Sequence, residues 1–213
     1  MKSVADLRKD YKMLSLDEHE ISRSPFKQFQ QWWEEALKAD IEEVNAMTLA
    51  TASAAGVPSA RIVLLKGYDE NGFVFFTNYN SYKGQDLLEN PRACLVFFWK
   101  ELERQVRITG LVQKVNSAES DEYFMSRPAG SRIGAWVSPQ SQVIRDRQWL
   151  DENEKEQLRK FEGKEITRPD HWGGYRVNPI TIEFWQGRSN RLHDRIQYSL
   201  DEKGEWKVER LAP

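Results

Sequence analysis

The sequence predicts a mainly β domain with peripheral helices (α+β), built on an antiparallel meander that closes into a barrel. Five runs rich in β-branched and aromatic residues, 46–54, 59–68, 73–78, 93–99 and 104–115, follow one another along the chain. The turn pairs Ala55-Gly56 and Asn71-Gly72 separate successive runs, as in hairpins. Three further runs, 174–185, 192–200 and 205–210, close the sequence, the last two joined by Asp201-Glu202-Lys203-Gly204. Short consecutive strands with tight turns pair antiparallel, and a meander in a chain of 213 residues tends to curl onto itself.

The helices punctuate this sheet. Residues 3–11 read as a short helix carrying Arg8, Lys9 and Tyr11, and 12–23 as a polar extended arm. Ser24-Pro25 supplies an N-cap followed by proline at the first helical position, opening a helix over 25–39. Phe26, Phe29, Trp33, Ala36 and Leu37 recur at helical spacing and form its inward stripe. A second helix spans 81–89 and ends before Asn90-Pro91; a third spans 118–126, capped by Ser117 and stopped at Arg127-Pro128. Tyr123 and Arg127 lie four apart, on one face if Arg127 still belongs to that helix. The last, 147–161, is mostly charged, with a stripe of Leu150, Leu158 and Phe161 and Gly163 as C-cap. The chain thus divides into an arm, 1–22, and a single domain, 23–213.

Composition excludes several classes of function. A net charge of -2, without blocks of like charge, argues against nucleic acid. The apolar runs are strand-sized, which argues against membrane insertion, and the first residues lack a signal-peptide core. One cysteine, Cys94, excludes an internal disulfide and reads as a buried, inert thiol in an apolar strand; the expected location is the cytoplasm. His19, His171 and His193 are scattered, so no zinc set is present, and no Walker, G-x-S-x-G or G-x-G-x-x-G pattern occurs.

What remains is a set of anion-seeking groups. Arg191, His193 and Arg195 stand at every second position of an expected strand, so they share a face. The simplest reason to gather two guanidiniums around an imidazole is an anionic ligand, a phosphate above all. A solvated strand face, with Asp194 neutralising a neighbour, explains the same residues equally well. The turn Thr77-Asn78-Tyr79-Asn80-Ser81-Tyr82-Lys83 joins a strand to a helix N-terminus, where free N–H groups favour a phosphate. Tyr123, Arg127 and Ser131 make a second set of phosphate donors. Arg61 and Lys66 bracket an apolar strand on which strict alternation puts them on opposite faces. Gln105 offers an amide to a heterocycle, and the loop 134–141 brings hydroxyls and amides. Two phosphate sets amid abundant Trp and Tyr point to two phosphorylated aromatic ligands, a flat cofactor and a substrate stacked on it.

Several motifs together resemble the pyridoxamine/pyridoxine 5'-phosphate oxidase family. They are Arg61-Ile62-Val63-Leu64-Leu65-Lys66, Phe76-Thr77-Asn78 with Ser81 and Lys83, Glu103-Arg104-Gln105-Val106, Ser126-Arg127-Pro128, Ile133-Gly134-Ala135-Trp136-Val137-Ser138, Gln140-Ser141, Glu183-Phe184-Trp185-Gln186-Gly187 and Arg191-Leu192-His193-Asp194-Arg195. The resemblance runs from about Leu7 to Pro213. It implies an FMN-binding split β-barrel acting as a homodimer, with FMN between subunits. It implies FMN contacts from Arg61, Ile62, Val63, Leu64, Leu65, Lys66, Phe76, Thr77, Tyr82, Lys83, Gln105, Gln140, Ser141, Trp185 and Arg195. It places the vitamer phosphate on Lys66, Tyr123, Arg127 and Ser131. Arg191, Leu192 and His193 then lie at the pyridine ring, with Arg191 and His193 as the catalytic pair. Arg8, Lys9, Asp10 and Tyr11 match a segment that folds over the site as a lid. One departure stands out: the family usually has arginine where this chain has Tyr82.

The implied activity is oxidation of pyridoxamine or pyridoxine 5'-phosphate to pyridoxal 5'-phosphate, with hydride transfer to FMN and reoxidation by O2 to hydrogen peroxide. Two rivals stay open: a nicotinamide-fed flavin reductase on the same barrel, and a non-catalytic pyridoxal 5'-phosphate carrier.

Overall fold

The structure, a computed structural model, describes residues 3–4 and 10–213. Among these, nine strands form one sheet in which every pairing is antiparallel: β1 (Ala46–Ala52), β2 (Pro58–Leu64), β3 (Gly67–Asp69), β4 (Gly72–Asn78), β5 (Arg92–Trp99), β6 (Arg104–Lys114), β7 (Trp172–Gln186), β8 (Asp194–Leu200) and β9 (Trp206–Arg210). The main path runs β2-β1-β5-β6-β7-β4-β3, with β8 beside β7 and β9 beside β8. The long β7 makes this fork possible. Its first part pairs with β4 as far as Val177, and its second pairs with β8 from Thr181 onward. The register against β6 shifts between Thr109 and Gly110, opposite Pro179, which has no N–H to donate. A Cβ on Gly110 would stand 2.1 Å from the Asn178 carbonyl oxygen, so only glycine lets the strands approach there.

The two ends of the path, β2 and β3, are consecutive in the chain. Only Leu65 and Lys66 join them, and the Lys66 N–H donates to the Val74 carbonyl at 2.8 Å. The curled sheet therefore meets itself at Lys66, giving a split barrel. The single strand expected over 59–68 is two strands broken at this seam. That break removes the alternation problem, because Arg61 and Lys66 no longer belong to one pleat.

Alternation fills the barrel. β5 buries Ala93, Leu95, Phe97 and Trp99, and β6 buries Val106 and Ile108. The helix α1 (Pro25–Lys38) closes one end, its Ser24 side chain accepting from Lys27 N–H. Fully buried Phe29 meets Tyr68, Phe73 and Phe97 at 4.9, 5.0 and 5.4 Å between ring centroids. Burial of such a ring contributes about 1.5–3 kcal/mol. The inward stripe includes Trp32, while Leu37 is 55% exposed, a quarter-turn outside it.

The other helices are α2 (Tyr82–Glu89), α3 (Ser117–Ser126), α4 (Ala129–Val137) and α5 (Arg147–Lys160). Several expectations need correction. The segment read as a loop from 134 begins as helix α4. The cap of α3 is Asn116 and that of Ser117 is lost, because Asn116 Oδ1 accepts from Glu119 N–H at 2.8 Å. No residue of α5 is buried, so its apolar stripe is not a core face, and its C-cap is Phe161. Cys94 is only half-buried, since even positions of β5 point out of the barrel. The helix expected over 3–11 lies largely outside the described residues; Asp10 and Tyr11 are not helical. No helix among the described residues is long and apolar enough to cross a membrane.

Candidate active site

A cavity of about 800 Å³ lies at the seam. It is lined by Arg61, Ile62, Val63 and Leu64 of β2, Lys66, Phe76 and Thr77 of β4, Tyr82 and Lys83 of α2, Tyr123 and Arg127, Ser131 of α4, and Gln140 with Ser141. Four of these residues are cations, and no carboxylate is among the described lining residues.

The first cationic nest is built by the β4–α2 turn. The Ser81 hydroxyl caps α2 by accepting from Gly84 N–H and donates to the Asn78 carbonyl. That geometry turns Lys83, 8% exposed, inward. Its Nζ donates to Thr77 Oγ1 at 3.2 Å, Ser81 Oγ at 3.1 Å and Gln140 Oε1 at 3.1 Å. Burial, helped by the nearby Arg61, pulls this ammonium down to about 8. Arg61 is held by the Leu49 carbonyl at 3.1 Å and by Thr51 Oγ1 at 2.8 Å, and Thr51 in turn donates to Asp86 at 2.6 Å. Burial lowers the Arg61 guanidinium from its ordinary value.

The second nest lies between α3 and α4. Arg127 spreads over the Trp172 ring at 4.5 Å, and its buried Nη1 has no hydrogen-bond partner. Burial lowers this guanidinium too. α4 lacks a side-chain cap, and its first intrahelical bond is Arg132 N–H to the Pro128 carbonyl. The N–H groups of Ala129, Gly130 and Ser131 are therefore free for an anion. Phe76 stacks on Tyr123 at 4.0 Å and on Trp172 at 5.6 Å, giving an aromatic wall, with Lys66 Nζ 5.8 Å from the Tyr123 ring.

The remaining expected residues form a different cluster. Gln105, Trp185 and Arg195 stand in one register row across β6, β7 and β8. His193 lies 4.6 Å from the Trp185 ring, and Tyr11 lies 5.7 Å from Trp185 and 5.9 Å from His193. A Cβ on Gly187 would meet the Tyr11 ring at 2.7 Å, so glycine makes room for the arm. The arm is anchored by Glu103, whose Oε2 accepts from Lys12 and Met13 N–H at 2.9 and 3.2 Å. The expected strand through 191–195 begins only at Asp194. Asn190 and Arg191 both adopt positive φ, 57° and 62°, and turn the chain into a loop. Arg191 and Leu192 are exposed, and the Arg191 guanidinium has no hydrogen-bond partner among the described residues.

None of Gln105, Trp185, Arg191, Leu192, His193 and Arg195 lines the seam cavity. Within one chain the structure does not bring the two sets together. Leu65 also stands apart: its side chain is in the core, and both its backbone groups bond Asn45. Asp10 pairs with Lys12 at 3.0 Å on the surface, and Arg8 and Lys9 lie outside the described residues. The cavity adds Ser59, Ala60 and Trp172 as lining residues that sequence reasoning did not select. The signal for Trp172 was weak, a lone aromatic after a histidine.

Residues 33–153 match the family described as pyridoxamine 5'-phosphate oxidase, and 172–213 match the pyridoxine 5'-phosphate oxidase C-terminal dimerisation region. A pyridoxine/pyridoxamine 5'-phosphate oxidase of Polynucleobacter asymbioticus is 60% identical over 213 residues, covering 100% of both chains. That of Trichormus variabilis is 59% identical over 212 residues, covering 100% of this chain and 99% of the other. The crystal structure of PhzG from Burkholderia lata superposes with a TM-score of 0.89 at 30% identity, over 96% of this chain and 100% of the other. With such matches along its whole length, the chain belongs to the pyridoxamine 5'-phosphate oxidase family.

Proposed function

We propose that the protein oxidises pyridoxamine 5'-phosphate or pyridoxine 5'-phosphate to pyridoxal 5'-phosphate, with FMN as cofactor and O2 as electron acceptor, acting as a homodimer. The observation that carries this reading is the seam cavity with four cations and no lining carboxylate. Cations gathered without counter-charge repel one another, and a phosphate dianion in each nest removes that cost. The volume falls within the range of about 300–1,000 Å³ usual for ligand clefts.

The donors fit the two groups. Lys83, Thr77 and the N-terminus of α2 suit the FMN phosphate, and Arg61 through Leu64 line the wall beside it. Arg127, with its unpartnered buried Nη1, suits the substrate phosphate together with Ser131, Lys66 and Tyr123. The chemistry FMN supplies when bound is acceptance of a hydride and passage of the electrons to O2 as hydrogen peroxide.

Everything else falls to the protein. Fixing the phosphate in the second nest orients the pyridine ring and replaces a bimolecular encounter with a held geometry. Gln105, Trp185, Arg191, His193 and Arg195 complete the site from the second subunit. Four of these five lie within the stretch that matches the dimerisation region, residues 172–213. Arg191 offers an unpaired guanidinium to the substrate, and His193 offers a proton at Nε2. The arm, with Asp10 and Tyr11, closes over Trp185 and His193 and excludes water.

The test is direct. The purified protein should be yellow, migrate as a dimer, and release hydrogen peroxide when given pyridoxine 5'-phosphate in air. A yellow protein that turns over only with a reduced nicotinamide overturns the reading, as does a colourless protein that binds pyridoxal 5'-phosphate.

A further inference from the structure

Arg195 is gripped from three directions. Its Nε donates to Glu183 Oε1 at 2.9 Å, its Nη1 donates to the Ala212 carbonyl at 2.8 Å, and its own carbonyl accepts from Leu211 N–H at 2.9 Å. Glu183 is a diagonal neighbour across the β7–β8 ladder and is only 7% exposed. Its second oxygen accepts from Arg107 Nη1 at 3.2 Å. One buried carboxylate therefore serves two guanidiniums, and the trio keeps a net positive charge. A guanidinium is planar, so fixing Nε and Nη1 fixes the direction of Nη2 as well. Nη2 carries no bond to any described residue.

We propose that Glu183 and the 211–212 segment form a clamp that presets the Arg195 guanidinium, so that its free Nη2 edge meets FMN. Both are positioning elements acting through Arg195, and this rests on the cofactor reading given above. A surface arginine ordinarily loses rotamer freedom when it takes a ligand; here that loss is incurred on folding. The Glu183 charge also strengthens the clamp, since hydrogen bonding to that carboxylate raises the Arg195 guanidinium from its ordinary value.

The experiment measures FMN affinity by quenching of flavin fluorescence on apoprotein of wild type, Arg195→Leu, Glu183→Gln, a chain lacking 211–213, and the double variant Arg195→Leu/Glu183→Gln. Melting temperature and dimer mass are followed in parallel. Glu183→Gln keeps the shape and removes the charge. Expected is a loss of roughly tenfold for Glu183→Gln and for the shortened chain, with folded dimers retained. In the Arg195→Leu background, Glu183→Gln should add no further loss, which a merely structural role would not produce. If Arg195→Leu weakens FMN while Glu183→Gln and the shortened chain bind like wild type, the clamp is overturned and the cofactor reading stands. Additive losses in the double variant overturn it likewise. If Arg195→Leu itself leaves FMN affinity intact, Arg195 does not face the cofactor and the premise falls. Should Glu183→Gln fail to fold, the shortened chain alone decides.

Discussion

The backbone N–H of Arg188 donates to Nδ1 of His193 at 3.1 Å. A backbone amide can only donate, so Nδ1 must present its lone pair and the neutral ring carries its proton on Nε2. Charging the ring requires a proton on Nδ1 and breaks this bond. Burial, and then the positive charge of Arg191, lower His193 below the ordinary imidazole range, against a smaller opposing pull from Asp194. The folded value lies below the unfolded one, so the contribution to stability is present above the ordinary range and is lost as pH falls toward the lowered value. Replacing His193 by Asn keeps an acceptor for Arg188 and removes the titration. Unfolding free energies measured from about pH 8 to pH 5 should show wild type losing ground against His193→Asn. A difference that does not change with pH would refute the assignment.

Lys83 sets a second pH dependence, with two opposite signs. Its folded value is about 8, against an ordinary 10.5. Below 8 the ammonium is charged in both states and the burial penalty is constant. Between 8 and 10.5 the unfolded chain binds more protons, so apoprotein stability rises with pH relative to Lys83→Met. FMN affinity runs the other way, because the phosphate needs the charged form. Its decline begins near 8, where the apoprotein lysine gives up its proton, and continues up to the higher value to which the bound dianion raises that lysine. Titrating apoprotein with FMN at several pH values, for wild type and Lys83→Met, checks this. A pH-independent affinity in wild type would exclude Lys83 from the phosphate nest.

Tyr82 lines the same cavity and is 62% exposed, at the first helical position of α2. An arginine there would add a charge-assisted bond to a phosphate on that helix end, worth roughly 1.5–3 kcal/mol when fully formed. Solvent screening at so exposed a position keeps the gain near the lower limit. Tyr82→Arg should therefore tighten FMN about tenfold and slow its dissociation. Equal dissociation rates for the two proteins would show that this position does not reach the phosphate.

The strands were legible because β-branched and aromatic runs with glycine turns leave few alternatives. The break at Leu65-Lys66 was not, since an unbroken apolar run carries no local mark of a seam. α4 was missed because Gly130, Ser131 and Gly134 read as loop residues; the spacing of Ile133 and Val137, four apart and both buried, was the helical signal. The loop at 189–192 hides in the same way. Asn190 tolerates positive φ, but nothing local announces that Arg191 does so too. The site residues were legible as chemical types. That they fall into two clusters on one chain depends on which strands share a face, and no local pattern encodes it.

That separation gives Arg191 a clear prediction. It stands in the loop, exposed, at φ 62°, with no hydrogen-bond partner among the described residues. Non-glycine residues held in this left-handed region cost about 1–2 kcal/mol each, and such strain concentrates at functional sites. Arg191 lies outside the cavity that suits FMN and, unlike Trp185 and Arg195, outside the register row that begins at Gln105. Removing its charge should thus spare the cofactor and cost the reaction: Arg191→Leu should retain FMN at wild-type stoichiometry while turnover with pyridoxine 5'-phosphate falls by at least about a hundredfold. Flavin content read from the absorption spectrum, set beside the rate of peroxide release, separates the two effects. Equal loss of flavin and rate would move Arg191 into the cofactor site and out of the substrate-orienting role.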